Sequence, residues 1–104
     1  MIYSRHEIVE LIQAQPRELH GVLTALVWFA SRGDPNLVSG RRYGLLQVDS
    51  AKFEGKANEL LNPETNIKVG AKLIQEHGLI EFCGWELGRE LHRIIGLARY
   101  LDGE

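Results

Sequence analysis

The segment NPETNIKVGAKLIQEHG, residues 62–78, constrains the fold more than any other, because both of its ends are written in the sequence. Asn62 offers a side-chain oxygen to the free amides of a helix start. Pro63 suits the first helical position because it has no N–H to lose, and Glu64 falls near the positive end of the helix dipole. Gly78 is the terminator. Between these marks Ile67, Gly70, Ala71 and Ile74 recur at helical spacing and predict an inward face. The adjacent small residues, Gly70 and Ala71, predict that another part of the backbone approaches closely there.

Two weaker patterns precede it. In YSRHEIVELIQAQP, Ser4 lies three residues before Glu7, the spacing at which each side chain satisfies the other's free amide. Ile8, Leu11 and Ile12 follow at helical spacing, and Pro16 ends that segment or opens the next. A second helix is predicted over about 16–31, with Leu19, Val22, Leu23, Leu26 and Val27 at steps of three and four. Continued by one more step, this stripe lands on Ala30. Residues 32–43, RGDPNLVSGRRY, are dense in turn formers and predict a loop. GLLQVD, residues 44–49, is too short for periodicity to decide, and is read as an extended entry into a short helical turn. A last helix is predicted over about 85–101, with Leu87, Leu91, Ile94, Ile95 and Ala98 inward; Gly88 and Gly96 mark close packing or a bend. The expected architecture is therefore one mainly α (α+β) domain over residues 1–104, with a short loop or strand region after the second helix.

Composition narrows the function classes. A chain of 104 residues can bury one modest core, and 44% apolar with 25% charged residues is an ordinary globular balance. No apolar run approaches the ~18–20 residues that cross a bilayer, so no membrane insertion is expected. The net charge of −2 gives no overall attraction to nucleic acid. Arg41-Arg42-Tyr43 places two cations beside an aromatic ring, but no predicted helix has a basic face, and a nucleic-acid partner is not expected. Cys83 is the single cysteine, and His6, His20, His77 and His92 lack ligand spacing, so neither a disulfide nor a metal site is implied. MIYSRHEIVE carries no charged-then-apolar secretion signal.

The ordered motifs resemble the lysozyme-like superfamily, specifically the soluble lytic transglycosylase (SLT) domain and goose-type lysozymes. In those families a helix ending in Glu-Ser is followed by a turn and then by Gly-Leu-Met-Gln. Ser31 matches the serine, Asp34-Pro35-Asn36 and Val38-Ser39 match the turn, and Gly44-Leu45-Leu46-Gln47 match the glycine-led motif. Val48-Asp49 is similar to the goose-type version. Leu60 to Ile74 is similar to the following D-P-E-x-N-I-x-x-G segment, and GLARYLDGE resembles a final Ala-Tyr-Asn-Ala-Gly motif that keeps Tyr100 and Gly103. Two positions depart from the pattern. The expected catalytic glutamate falls on Ala30, and the asparagine of the last motif falls on Leu101.

The resemblance implies cleavage of the β-1,4 bond between N-acetylmuramic acid and N-acetylglucosamine in peptidoglycan strands, by a monomer and without a cofactor. A glutamate at position 30 would lie at the end of an apolar stripe and at the negative end of a helix dipole, and both raise its pKa. Protonated near neutral pH, it could give its proton to the glycosidic oxygen and then act as base. In a transglycosylase the muramic 6-hydroxyl then attacks, leaving a 1,6-anhydro end. In a hydrolase a second carboxylate directs water, and Asp49 is the candidate here. Gln47 and Tyr100 are expected to hold the sugar, Ser31 to hydrogen-bond near the scissile bond, and Tyr43 and Asn36 to contact substrate. Alanine at position 30 can supply none of the acid chemistry, and neither Asp34, Asp49 nor Glu54 lies on the stripe that would desolvate a replacement. The chain as it stands is expected to be inactive or strongly impaired, through a deliberate substitution or as a natural non-catalytic binding or assembly module. Its expected place of action is the cell wall or periplasm, reached as a phage-encoded, machine-delivered or cytoplasmic protein before release.

Overall fold

The computed structural model describes residues 2–83. The first helix, α1 (Arg5–Ile12), starts in the predicted reciprocal cap: Ser4 N–H donates to Glu7 Oε1 at 3.0 Å and Glu7 N–H donates to Ser4 Oγ at 3.3 Å. Ile8 and Ile12 are fully buried against α2 and α3. The second helix begins later than the stripe predicts. Pro16 has no N–H and holds an extended ψ of 138°, so the chain enters through a tight 3-10 turn at Arg17–Leu19 before α2 (His20–Ala30). His20 Nε2–H donates to Gln15 O at 2.7 Å across this entry. Leu23, Leu26 and Val27 are buried as predicted, and α2 ends on Ala30.

The stretch predicted to be a loop contains a small antiparallel ribbon. Strand β1 (Val38–Ser39) pairs with β2 (Arg42–Tyr43), which pairs with β3 (Val48–Asp49) in the order β1-β2-β3. The β1–β2 register, Ser39 opposite Arg42, leaves Gly40-Arg41 as a two-residue turn with Gly40 at φ 60°. A Gly-X pair with positive φ at its first residue matches the right-handed twist of the flanking strands. GLLQVD runs in the reverse order to the prediction: the turn comes first, at residues 44–47, and the extended pair follows as β3. Gly44 at φ 75° and Gln47 at φ 52° are both left-handed, which stops a helix or strand from continuing through the segment.

After 3-10 turns at Ser50–Lys52 and Ala57–Leu61, helix α3 (Pro63–His77) is built as the sequence predicts. Asn62 Oδ1 accepts from the N–H groups of Glu64 and Thr65 at 3.0 and 3.1 Å, and Gly78 caps the far end. Ile67, Gly70, Ala71 and Ile74 face inward, but what approaches Gly70 closely is a side chain and not the predicted backbone: an added Cβ would overlap Leu46 Cδ1. Asn66 is also fully buried on this face, which the apolar pattern alone does not predict. A short helix, α4 (Leu79–Cys83), folds back on α3 and brings Phe82 into the core. The predicted last helix lies outside the described residues, as do Tyr100, Leu101 and Gly103. Among the described residues no helix is long and apolar enough to cross a membrane.

Candidate active site

The site is organised by polar side chains that tie the Gly44–Gln47 turn to the two helices flanking it. Asn66, fully buried on α3, accepts from Leu46 N–H at 2.8 Å through Oδ1. It donates from Nδ2 to Tyr43 O at 2.7 Å and Leu60 O at 2.8 Å. A buried amide that used fewer of these partners would leave backbone groups unpaired at a cost of about 1–3 kcal/mol each. Gly44 has no substitute here, because a Cβ would run into the Asn66 amide and Leu60 O, and its φ is left-handed. From the other side, Ser31 at the end of α2 is 6% exposed, and its Oγ donates to Leu45 O at 2.8 Å or Val27 O at 3.1 Å while accepting from Gly33 N–H at 3.3 Å. Ser31, expected near the scissile bond, joins α2 to the turn through these bonds.

Gln47 completes the turn. Its left-handed backbone costs about 1–2 kcal/mol for a side chain with a Cβ. Both Nε2 hydrogens are used to hold it there, donating to Leu37 O at 3.0 Å and Gly44 O at 2.9 Å. The amide orientation follows from those two carbonyl partners, and Oε1 carries no hydrogen bond among the described residues.

Ala30 and Gln47 meet at one cavity of about 200 Å³. Leu26, Phe29, Leu46 and Phe82 supply its apolar wall, and Arg42 is the single charged group among its lining residues. Arg42 is half-buried on β2, and its Nη1 donates to Gln47 O at 3.3 Å and Phe82 O at 3.4 Å. Phe29 stands at the rim, 49% exposed. No carboxylate lines this cavity among the described residues. A glutamate side chain built at position 30 would be desolvated by the apolar wall, which raises its pKa, and drawn down again by the guanidinium.

The other predicted residues lie elsewhere. Asp49 is engaged at both oxygens: Oδ1 accepts from Ala51 N–H at 2.9 Å, capping the 3-10 turn, and Oδ2 faces Arg41 Nη2 at 3.4 Å. It is not among the cavity's lining residues. Tyr43 follows Arg42 on β2, so strand alternation turns its ring to the opposite face, where it packs on the core. Asn36 is exposed in the turn after α2, and its N–H donates to Asp34 Oδ1 at 2.9 Å. Sequence reasoning missed Arg42, Phe29, Phe82 and Asn66 as site-forming groups. Asn66 left a signal, a polar residue on an otherwise apolar helix face. Among the described residues no three His, Cys, Asp or Glu side chains gather as a metal site.

No curated protein and no solved structure matches the chain. The family profile of the transglycosylase SLT domain matches residues 8–80, from α1 through the Gly44–Gln47 turn and α3 to the first residues of α4. A match over most of the 104 residues, centred on a turn that is locked to both flanking helices, places this chain in the transglycosylase SLT family, whose activity is lytic-transglycosylase cleavage of peptidoglycan.

Proposed function

We propose that this chain is an SLT domain that holds peptidoglycan strands at the α2–turn cleft and cleaves them weakly or not at all, over a single domain of residues 1–104. The observation that carries this reading is Ala30 at a mostly apolar cavity with no carboxylate among its described lining residues. Position 30 is where the resemblance puts the family's general acid, and such help is worth about 10²- to 10⁴-fold in rate. The cleft still has the means to bind sugar. Phe29 offers an exposed aromatic face, Gln47 Oε1 an acceptor for a sugar hydroxyl, and the locked turn holds both close to the α2 terminus. Tyr100, outside the described residues, is assigned to the same sugar.

The reaction class that fits this frame is transglycosylation, which needs one acid and the muramic 6-hydroxyl. A hydrolase needs a second carboxylate at the cleft, and Asp49 is occupied by Ala51 N–H and Arg41. The deciding experiment compares soluble muropeptide release from purified sacculi by this chain and by Ala30→Glu. Cleavage by the glutamate variant alone, giving products lighter than hydrolysis products by one water, supports the assignment. Equal release by both chains removes position 30 from the chemistry.

A second reading, a natural binding or assembly module, has Arg42 in its favour. An active acid at position 30 would share its cavity with a guanidinium that favours the ionised form, the wrong state for proton donation. A cavity that presents a cation and no acid among its described lining residues is suited to holding strands. On this reading Ala30→Glu alone recovers little cleavage near neutral pH.

A further inference from the structure

A guanidinium at an apolar cavity has been taken partly out of water, and its charge is costly there unless something compensates for it. Arg42 uses one nitrogen, Nη1, on the carbonyls of Gln47 and Phe82. Among the described residues neither Nε nor Nη2 has an acceptor. The acid opposite it on the ladder is Asp49, whose oxygens are taken by Ala51 N–H and Arg41. The cavity therefore presents a cation with unused N–H donors in a fixed fork, against an apolar wall, beside the position where the glycosidic bond is read to lie.

We propose that this cavity is a carboxylate site, and that Arg42 selects glycan strands whose muramic residues carry a free lactyl carboxylate. The planar guanidinium fork matches a carboxylate, and the hydrogen bonds are charge-assisted. Size favours the lactyl group over the carboxylates of a stem peptide. A cavity of about 200 Å³ has room for a short acid on a sugar ring, on the scale of about seven waters at ~30 Å³ each. A whole stem peptide of several residues is larger than this volume. In intact peptidoglycan the lactyl group is an amide to the stem peptide and carries no charge. The preferred strands are therefore the product of an amidase that hydrolyses that bond, which places this domain after such a reaction. The assignment rests on the reading that the cleft holds glycan.

The test measures binding of this chain to intact strands, to amidase-treated, peptide-free strands, and to free stem peptides, each also with Arg42→Gln and Arg42→Lys. The expected result is about tenfold or more tighter binding to peptide-free than to intact strands, a preference abolished in Arg42→Gln and partly kept in Arg42→Lys. Thermal unfolding of each variant reports whether loss of the bonds to Gln47 O and Phe82 O has disturbed the fold. If it has, N-acetylmuramic acid against N-acetylglucosamine on the unaltered chain decides, with shifts at the Arg42 Nε–H and Ala30 methyl expected from the first sugar alone. Equal affinity for the two strand types overturns this proposal and leaves glycan binding standing. Tighter binding of stem peptides overturns the lactyl assignment, and no binding to any strand overturns both this inference and the reading beneath it.

Discussion

Two concavities on this molecule differ in the opposite way to what their sizes suggest. The larger, about 610 Å³, lies between α1 and α3 and is lined by Tyr3, Glu7, Glu10, Glu64 and Lys68 among others. The smaller, about 200 Å³, lies at the end of α2 against the Gly44–Gln47 turn. In the larger, Glu7, Glu10, Glu64 and Lys68 are exposed to solvent, and the Glu7 carboxylate is committed to the cap of its own helix. Charges screened by water do little electrostatic work. In the smaller cavity one guanidinium and one amide converge on an apolar wall, and a network of buried hydrogen bonds holds the backbone around them. Volume marks where surfaces diverge; chemistry needs desolvation and convergent polar groups.

The largest expected effect separates the two places by activity. Ala30→Glu should raise muropeptide release from sacculi by about 10²- to 10⁴-fold over the unaltered chain at its optimal pH. Ala14→Glu, which puts the same carboxylate into the larger concavity, should release nothing. Next comes stability. Asn66→Ala strands Leu46 N–H, Tyr43 O and Leu60 O, and should cost about 3 kcal/mol or more in denaturant unfolding. Glu10→Gln in the larger concavity should stay within about 0.5 kcal/mol of the parent.

A third comparison sharpens the electrostatics. Burial beside Leu26 and Phe82 raises the pKa of a glutamate at position 30, while Arg42 lowers it. Ala30→Glu should therefore donate protons best at acidic pH. Adding Arg42→Gln should move the fall of its pH–rate profile upward by about one to three pH units. An unmoved profile would mean that the guanidinium does not reach the acid.

The smallest effect belongs to the larger concavity. The carboxyl of Glu7 is held below its ordinary 4.5, first by the Ser4 backbone N–H and then by the Ser4 hydroxyl. Its folded pKa is depressed, so its contribution to stability is present above the unfolded value and is lost as pH falls through the folded one. Titration followed by NMR should show Glu7 moving part of the way back toward 4.5 in Ser4→Ala, with the remaining depression due to the Ser4 N–H.

How much of this was legible in the sequence depended on whether a residue's role was local. α3 was readable end to end, because Asn62, Pro63 and Gly78 act on backbone groups within a few residues of themselves. The Ser4–Glu7 cap was readable for the same reason. Strands two residues long have no period to detect, so the ribbon was hidden inside a run of turn formers, although Gly40-Arg41 was a hairpin signal in hindsight. The order of GLLQVD depended on Asn66, whose three partners lie up to 23 residues away in sequence. The helical stripe led to Ala30, but only the resemblance gave that position meaning. In the sequence Arg42 reads only as half of a basic dipeptide. Its place at the cavity follows from the β2–β3 pairing, which no local pattern carried.

The central claim is that this chain binds peptidoglycan and cleaves it weakly or not at all. The most direct measurement incubates the unaltered chain with purified sacculi and follows bound protein and soluble muropeptides in the same sample. Saturable binding with release at or barely above a protein-free control is the predicted result. Release of muropeptides by the chain with Ala30 in place as fast as by Ala30→Glu would contradict it, and would require an acid that is not among the cavity's described lining residues.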